Sequence, residues 1–388
     1  GSSLLSMVEA FFRNHGLGPV LETLALSTSQ RKVADLSADL NALVYGVPAS
    51  GKTTALKALM LGRLRAGFKP EEILVLAATR ESATKLRDEL ALEYQGSTPG
   101  PMARTLASFA FNILRERSLA LGLNPPELIT GSEQDQIISE LIDEFLSGEF
   151  PTEWPKALKR QVMELRGFRS ELRELITVCL ERGLDQQQLS ALAEQHNRPV
   201  WSAAAHFYGG YLNRLREPAN ANRHDPSTLL TFVVNELQEK SWPKVAEDLR
   251  LILVDDAQEL TPAAMSLIKV LASHGANLVL LGDPDSTTMG FRSASPAAMR
   301  ELIAAIGGEH EEILLNDDIS VRHPDLTAVL AGTSSKLSVE RAGTHRTVLG
   351  ASAKSESDRI EARVFDNETS ELAWLSHRLR DLHLNHGV

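Results

Sequence analysis

The stretch Ala42-Leu43-Val44-Tyr45-Gly46-Val47-Pro48-Ala49-Ser50-Gly51-Lys52-Thr53 decides the fold. Ala42–Gly46 is short and apolar on both faces, as a buried parallel strand must be. Gly46 to Thr53 then fits G-x-x-x-x-G-K-[ST] at every fixed position. Leu56, Leu59 and Leu64 follow at helical spacing. Strand, glycine-bearing loop and helix together make a phosphate cradle. Backbone N–H groups of the loop and the helix N-terminus face the oxygens, with Gly46, Ala49, Ser50, Gly51 and Thr54 contributing. Lys52 adds a point charge at the β/γ-phosphates, and the Thr53 hydroxyl can ligate Mg²⁺.

The rest of the chain repeats the alternation. Ile73–Ala78 reads as a second buried strand, and Leu249–Val254, Asn277–Leu281 and Glu312–Leu315 as three more. Each ends in polar or acidic residues, as expected where ligands meet a parallel sheet. Leu251–Val254 runs into Asp255 and Asp256. The first suits Mg²⁺ through water, and the second suits orienting an attacking water. Between these β-rich blocks, residues 123–245 read as helical. Pro125 and Pro126 break the chain, Ser132-Glu133-Gln134-Asp135 resembles a capping box, and Ile137, Ile138, Leu141, Ile142 and Phe145 follow at helical spacing. Val8–Phe12 and Leu17–Leu26 read as amphipathic helices, and Ile360–Phe365 as a strand. A last helix carries Leu372, Leu375, Leu379 and Leu382, capped by Gly387.

Composition bounds the function. The 388 residues are 43% apolar, enough for two or three domains with large cores. Apolar runs are too short to span a bilayer, and no basic-apolar leader is present, so a cytoplasmic location is expected. The single cysteine, Cys179, excludes an internal disulfide and a cysteine metal cage, and its apolar neighbours predict burial. Histidines lie singly, without metal-ligand spacing. The net charge of −11 confines any nucleic-acid contact to a local groove.

Further stretches, in order, resemble the UvrD/Rep-like superfamily 1 DNA helicases. Gln30, 22 residues before Lys52, resembles the family's adenine-reading glutamine. Ile73–Leu90 resembles a segment touching single-stranded DNA, which implies contacts from Thr79 and Arg80. Thr105-Leu106-Ala107-Ser108-Phe109-Ala110 resembles the next DNA motif, implying Thr105. Asp255-Asp256-Ala257-Gln258-Glu259-Leu260 is similar to Asp-Glu-x-Gln-Asp. Gly282-Asp283-Pro284-Asp285-Ser286 through Gly290-Phe291-Arg292 is similar to Gly-Asp-x-Asp-Gln…Gly-Phe-Arg, with Asp285 at the nucleotide and Phe291 as a base platform. Arg166–Arg173 and the tail Glu371–Val388 look most like actinobacterial AdnAB-type helicase–nuclease subunits.

The resemblance implies an α/β fold: a P-loop RecA-like parallel sheet with an inserted all-helical domain and the truncated start of a second RecA-like domain. Its divisions would be an N-terminal extension (1–25), domain 1A (26–122 and 246–320), domain 1B (123–245) and the start of domain 2A (321–388). It implies ATP and Mg²⁺ as cofactors. The implied partners are single-stranded DNA and a second helicase–nuclease subunit. Lys52, Asp256 and Arg322 are the implied catalytic groups. Departures bear on turnover. Asp256 replaces Glu, Ser286 replaces a γ-phosphate-sensing Gln, Ala107 replaces His, and Arg322 only loosely substitutes for the family's next arginine. Two readings stay open: an ATP-driven motor, or a hydrolysis-poor scaffold that still binds nucleotide or DNA.

Overall fold

The computed structural model describes residues 26–94, 96–148, 154, 158–217, 223–224, 226–239, 242–315, a few positions between 329 and 337, and 363–387. It forms two compact units, Gly1–Ile319 with Arg341–Val348, and Ser320–Glu340 with Leu349–Val388. The helices expected before Leu26, the segment Asn316–Ser320 and Arg322 lie outside the described residues.

The larger unit is built on five strands, β1 (Asn41–Tyr45), β2 (Ile73–Leu76), β5 (Leu251–Val254), β6 (Asn277–Gly282) and β7 (His310–Leu314). Their order is β2-β5-β6-β1-β7, and every pairing is parallel. All five are the strands read from the sequence. Strand pleating sends alternate residues to opposite faces, and the two faces separate cleanly. Leu43, Tyr45, Leu74, Leu76, Ile252, Val254, Leu278 and Leu280 enter one core. Ala42, Val44, Ile73, Val75, Leu251, Leu253, Val279 and Leu281 enter the other.

Helices cover both faces. On the second core lie α1 (Thr28–Ala34), α2 (Lys52–Arg65) and α3 (Arg80–Glu93), through Val33, Leu56, Leu59, Met60, Leu86 and Leu90. On the first lies α4 (Leu106–Ala120), whose Phe109 and Ile113 are buried. The fold is α/β around a parallel central sheet.

After α4 the chain makes a helical block with its own core. A short pair, β3 (Glu127–Leu128) with β4 (Arg223–His224), stands at its base. Between them run α5 (Gly131–Ser147), α6 (Arg160–Met163), α7 (Arg166–Glu181), α8 (Gln186–Gln195) and α9 (Pro199–Arg216). Ile138, Ile176 and Tyr211 are at its centre. The capping box of α5 begins two residues earlier than the sequence suggested. Thr130 is the cap; its N–H donates to Glu133 Oε2 at 2.7 Å, and Glu133 N–H donates back to Thr130 Oγ1 at 3.3 Å. The backbone selects the hydroxyl that stands three residues before a glutamate, as a reciprocal box requires.

Cys179 is buried in this core, which pushes its thiol up to about 11 and leaves it inert. Trp154 packs edge-on against Phe145 and Phe168, centroids 5.8 and 5.4 Å away, so it is a core residue. Next, α10 (Pro226–Glu239) and α11 (Lys244–Glu247) return to the sheet. Leu229, Leu230, Val233 and Leu237 of α10 join α4, α12 (Pro262–Ala272) and α13 (Ala298–Ile306) over the first core.

In the smaller unit, α14 (Glu368–His386) starts at Asn367, whose side chain accepts from Ser370 N–H at 2.9 Å. It ends at Gly387 in the left-handed region, as expected from the sequence. Of the strand expected over Ile360–Phe365, Arg363–Phe365 are described and are not in a strand; the rest lies outside the described residues. Among the described residues, no helix is long and apolar enough to cross a membrane.

Leu229 is fully buried and Leu92 is 78% exposed. Leu229→Ala should therefore cost about 2–5 kcal/mol in urea denaturation, and Leu92→Ala roughly 0.5 kcal/mol or less. Equal costs would contradict the placement of α10 in the sheet's covering layer.

Candidate nucleotide site at the strand ends

The loop after β1 has one backbone solution. Gly46 N–H donates to Gly282 O at 3.2 Å, extending the β1–β6 ladder by a step. A Cβ at Gly46 would lie 2.2 Å from Ser50 Oγ, so a larger residue there would displace the Ser50 hydroxyl. Gly51 caps α2 with φ of 84°, and a Cβ there would lie 1.9 Å from Gln30 Nε2. Ala49 also adopts a left-handed conformation, φ 60°, which costs a non-glycine residue roughly 1–2 kcal/mol. Lys52, Thr53 and Thr54 open α2, so helix geometry leaves their N–H groups without intrahelical acceptors. Ser50 Oγ is buried with no hydrogen-bond partner among the described residues. An orphaned hydroxyl, the N–H groups of a helix start and a glycine-lined turn are the donor set a phosphate needs. Lys52 Nζ donates to Gly46 O at 2.7 Å and Val47 O at 3.3 Å, which holds the ammonium over the loop.

Gln30 reaches this loop from α1. Its Oε1 accepts from Ser27 N–H at 3.0 Å in a capping box, while Nε2 donates to Ser50 O and Gly51 O at 3.4 and 3.5 Å.

Thr53 and Asp255 meet across the site. Thr53 Oγ1 donates to Asp255 Oδ2 at 2.8 Å, and Asp256 N–H donates to Asp255 Oδ1 at 3.2 Å. Asp255 is 8% exposed. Burial, reinforced by the charge of Asp256, pushes its carboxyl up to about 6, against the opposing pull of Thr53 and Lys52. A hydroxyl and a carboxylate held together are hard oxygen donors of the kind Mg²⁺ takes. Asp256 itself sits at φ 51°, ψ 45°, with Gln258 Nε2 donating to its Oδ1 at 3.4 Å.

The end of β6 is tied to the same place by residues to which the sequence gives no evident role. Gln258 Oε1 accepts from Asp283 N–H at 3.1 Å. Glu259 accepts from Thr288 N–H, Thr288 Oγ1 and Met289 N–H at 2.7, 2.8 and 2.7 Å. Buried Asp283 accepts from Asp285 N–H at 3.0 Å and from Ser286 Oγ at 2.8 Å. Gln258, Glu259 and Asp283 stand inside the two motif stretches quoted from the sequence, which gave them no role in tying the strand ends together. Asp285 stands in that turn, half-buried.

Of the expected DNA residues, Arg80 and Thr105 come together elsewhere. Thr79 caps α3 and Thr105 caps α4, each accepting from the N–H three residues on, at 3.1 and 3.2 Å. Arg80 and Thr105 line one cavity of about 360 Å³, with Ala107. Ala107 and Thr105 also line a smaller cavity of about 160 Å³ that reaches Asp255 and Asp256. The two groups therefore share a wall. Thr79 is exposed. The backbone of Phe291 forms part of a 3₁₀ turn, Met289–Arg292, and its side chain lies outside the described residues, as does Arg322.

Two outcomes follow from this geometry. Gly51→Ala should weaken binding of a fluorescent nucleotide on the order of tenfold or more, since left-handed strain of about 1–2 kcal/mol adds to the collision with Gln30. Parent-like binding would contradict the loop geometry. The Asp255 carboxyl holds its proton more tightly folded than unfolded, so its contribution to stability is complete below the ordinary value of 3.8 and is lost as pH rises to about 6. In metal-free, nucleotide-free protein, Asp255→Asn should melt above the parent at pH values beyond that window and match it below. A lower melting temperature at high pH would contradict the burial argument.

A family model described as the UvrD/REP helicase N-terminal domain matches residues 26–305. The chain is 24% identical over 340 residues to the ATP-dependent DNA helicase srs2 of Schizosaccharomyces pombe, covering 86% of this chain and 37% of that protein. To the ATP-dependent DNA helicase Rep of Escherichia coli it is 22% identical over 258 residues, covering 66% and 35%. To the exonuclease/helicase subunit RexA of Lactococcus lactis it is 25% identical over 186 residues, covering 45% and 14%. It thus spans about a third of the first two relatives. With the family model matching well over half of its residues, the chain belongs to the UvrD/REP helicase family, through that family's N-terminal domain.

Proposed function

We propose that this chain is the ATP-binding front part of a superfamily 1 DNA motor that moves along single-stranded DNA in repair or recombination. The observation that carries the reading is the 2.8 Å bond from Thr53 to Asp255, which joins the glycine loop to the acidic end of β5. A P-loop alone binds phosphate; adding the second carboxylate makes a metal-nucleotide site.

The roles follow from the chain's own groups. Ala49, Gly51 and Thr54 offer N–H groups to the phosphates, Ser50 adds its unpartnered hydroxyl, Gly46 lines the turn with its N–H already given to Gly282 O, and Lys52 neutralises the charge. Thr53 and Asp255 would hold Mg²⁺, and Asp285, in the turn after β6, is assigned to the nucleotide. Gln30, against the loop, is assigned to the adenine base. Bound Mg-ATP supplies a phosphoanhydride open to in-line attack; Asp256 orients the attacking water, and Arg322 is assigned to the γ-phosphate. Thr79, Arg80, Thr105 and Phe291 touch DNA. In this division the sheet is a RecA-like domain 1A, the helical block is an inserted domain 1B, and residues 321–388 begin domain 2A, with 1–25 an extension. A partner chain of the AdnAB type finds support in the partial likeness to an exonuclease/helicase protein.

A slower motor, or a scaffold without turnover, is the second reading, and particular contacts favour it. Ser286 gives its hydroxyl to Asp283, so it is spent within its own turn. Asp256, one methylene shorter than glutamate, sets its carboxylate back by about 1.5 Å. Displacement of that size can cost a hundredfold in rate.

ATP hydrolysis by the full-length parent protein, with and without single-stranded DNA and with Lys52→Ala as blank, separates the readings. DNA-stimulated turnover that vanishes in the blank is expected. No turnover in protein that still binds Mg-ATP would move the assignment to the scaffold. Asp256→Glu combined with Ser286→Gln should raise turnover by roughly ten- to a hundredfold; an unchanged rate would contradict the weak-base argument.

A further inference from the structure

β2 is the end strand of the sheet, paired on one side with β5. Its backbone groups alternate between that side and the open one. Glu72 O and Leu76 O face β5, accepting from Arg250 N–H and Asp255 N–H at 2.9 Å each. The groups of Ile73, Val75 and Ala77 therefore face outward. There Val75 O accepts from Arg104 N–H, and Ala77 N–H donates to Arg104 O, both at 3.1 Å. One step earlier the ladder stops. Ile73 N–H is given to Pro70 O. Among the described residues, Ile73 O receives no donor and Val75 N–H finds no acceptor. The segment that would continue the pairing bends aside at Met102 and Ala103, after Pro101.

A cavity of about 310 Å³ opens at this step. Ile73, Val75 and Met102 line it along the strand, and Phe109 and Asn112 of α4 line it as well. Its size is at the small end for ligand sites, which run from roughly 300 Å³. Buried backbone groups are nearly always paired, and an open strand edge is a template for another chain. An outward C=O and an outward N–H, two residues apart, fit the backbone of an extended peptide, as Arg104 shows one step on. A small anion would meet the N–H but be repelled by the carbonyl.

Charge at the rim narrows the choice of guest. Lys244 lies 4.0 Å from Asp248, and Glu116 supports the charge of Arg104. Glu71 also lines the cavity, is exposed, and has no ion pair among the described residues. The rim thus has one carboxylate to spare, in a protein of net charge −11. A second copy of this chain would bring another Glu71 to the same rim.

We propose that this edge holds a short extended segment of a partner protein, with an apolar side chain in the cavity and a basic one beside Glu71. Pairing with Ile73 O and Val75 N–H supplies the main-chain bonds, and the two side chains supply selectivity. Pro70 and Glu71 precede β2 and Leu249 precedes β5, so the seat is at the amino ends of these strands. Asp255 stands at the opposite end of β5, and a partner held here leaves the nucleotide edge open.

The probe is a fluorescein-labelled heptapeptide of alternating lysine and valine, followed by anisotropy with the full-length protein. Saturable binding is expected. Alternate residues of a strand face its neighbour, so N-methylating the valines or the lysines should cost on the order of tenfold for one set and little for the other. Asn112→Phe, which fills the cavity, should weaken binding on the order of tenfold. Glu71→Lys changes an exposed side chain, which guards against misfolding, and should weaken binding about threefold or more. Absence of saturable binding, or no loss from either methylation, would overturn the seat. Equal binding of the glutamate–valine counterpart would overturn the choice of a basic guest. A dimer in sedimentation that Asn112→Phe dissolves would give the edge to a second copy and overturn the partner segment.

Discussion

The hydrogen bond from Thr53 to Asp255 joins residues 202 positions apart, and it exists only because three parallel strands hold register. β1 and β5 are not neighbours; β6 lies between them and sets Tyr45 beside Gly282 and Val254 beside Leu280. A slip of one residue would turn every strand side chain to the opposite core. Here that would exchange, for example, Leu253 and Val254 between two filled cores. Burial on both faces thus fixes the register, and the register brings the glycine loop, Asp255 and Asp283 to one edge. Apolar packing, without a single charge in it, sets the geometry of the most polar part of the protein.

That edge is where the fold accepts unfavourable terms. Asp255 is a carboxylate buried beside a second carboxylate. Ala49 and Asp256 are non-glycine residues in the left-handed region, each costing on the order of 1 kcal/mol or more. Such costs persist only where the surroundings overdetermine the conformation. At Asp256 the hydrogen bonds accepted by Gln258 and Glu259 do this, since they tie the end of β5 to the turn after β6. The same ties use up Ser286 through Asp283. Rigidity at this edge and the engagement of the Ser286 hydroxyl within its own turn have one structural origin.

Four of the five strands were legible because parallel strands buried on both faces are continuous apolar runs bounded by turn residues, whereas β7, at the sheet's edge, is exposed over His310-Glu311-Glu312 and shows only its apolar end. The glycine loop was legible because its fixed positions answer steric demands: Gly51 is left-handed at φ 84°, and a Cβ at Gly46 would displace the Ser50 hydroxyl. The helices were legible as helices, but not in their partners. α10 has the same apolar periodicity as the helices of the block before it, yet its leucines face the sheet. Periodicity tells that a face is buried and cannot tell against what. The cap of α5 was misplaced by two residues because Thr130 and Ser132 both offer a hydroxyl, and only the backbone selects one. Gln30 is recognisable from its distance to Lys52, but nothing in the sequence shows that its amide is occupied by Ser27 and the loop carbonyls.

Charge shows the same contrast between the whole and the place. A net −11 argues against nucleic acid only if the protein is read as a sphere of average charge. At physiological ionic strength, exposed charges are screened beyond about 8 Å, so a ligand in a cavity feels the wall and little else. In the cavity that Thr105 lines, that wall carries Arg80 at the start of α3 and Arg87 further along the same helix. These residues are scattered in the sequence among acidic ones such as Glu81 and Asp88, and no run of basic residues marks them. They meet Thr105 because β2 pairs on its open side with the strand-like segment at Arg104, which draws the two helix starts together. A basic site of this kind is a product of topology, invisible to composition and to any count along the chain.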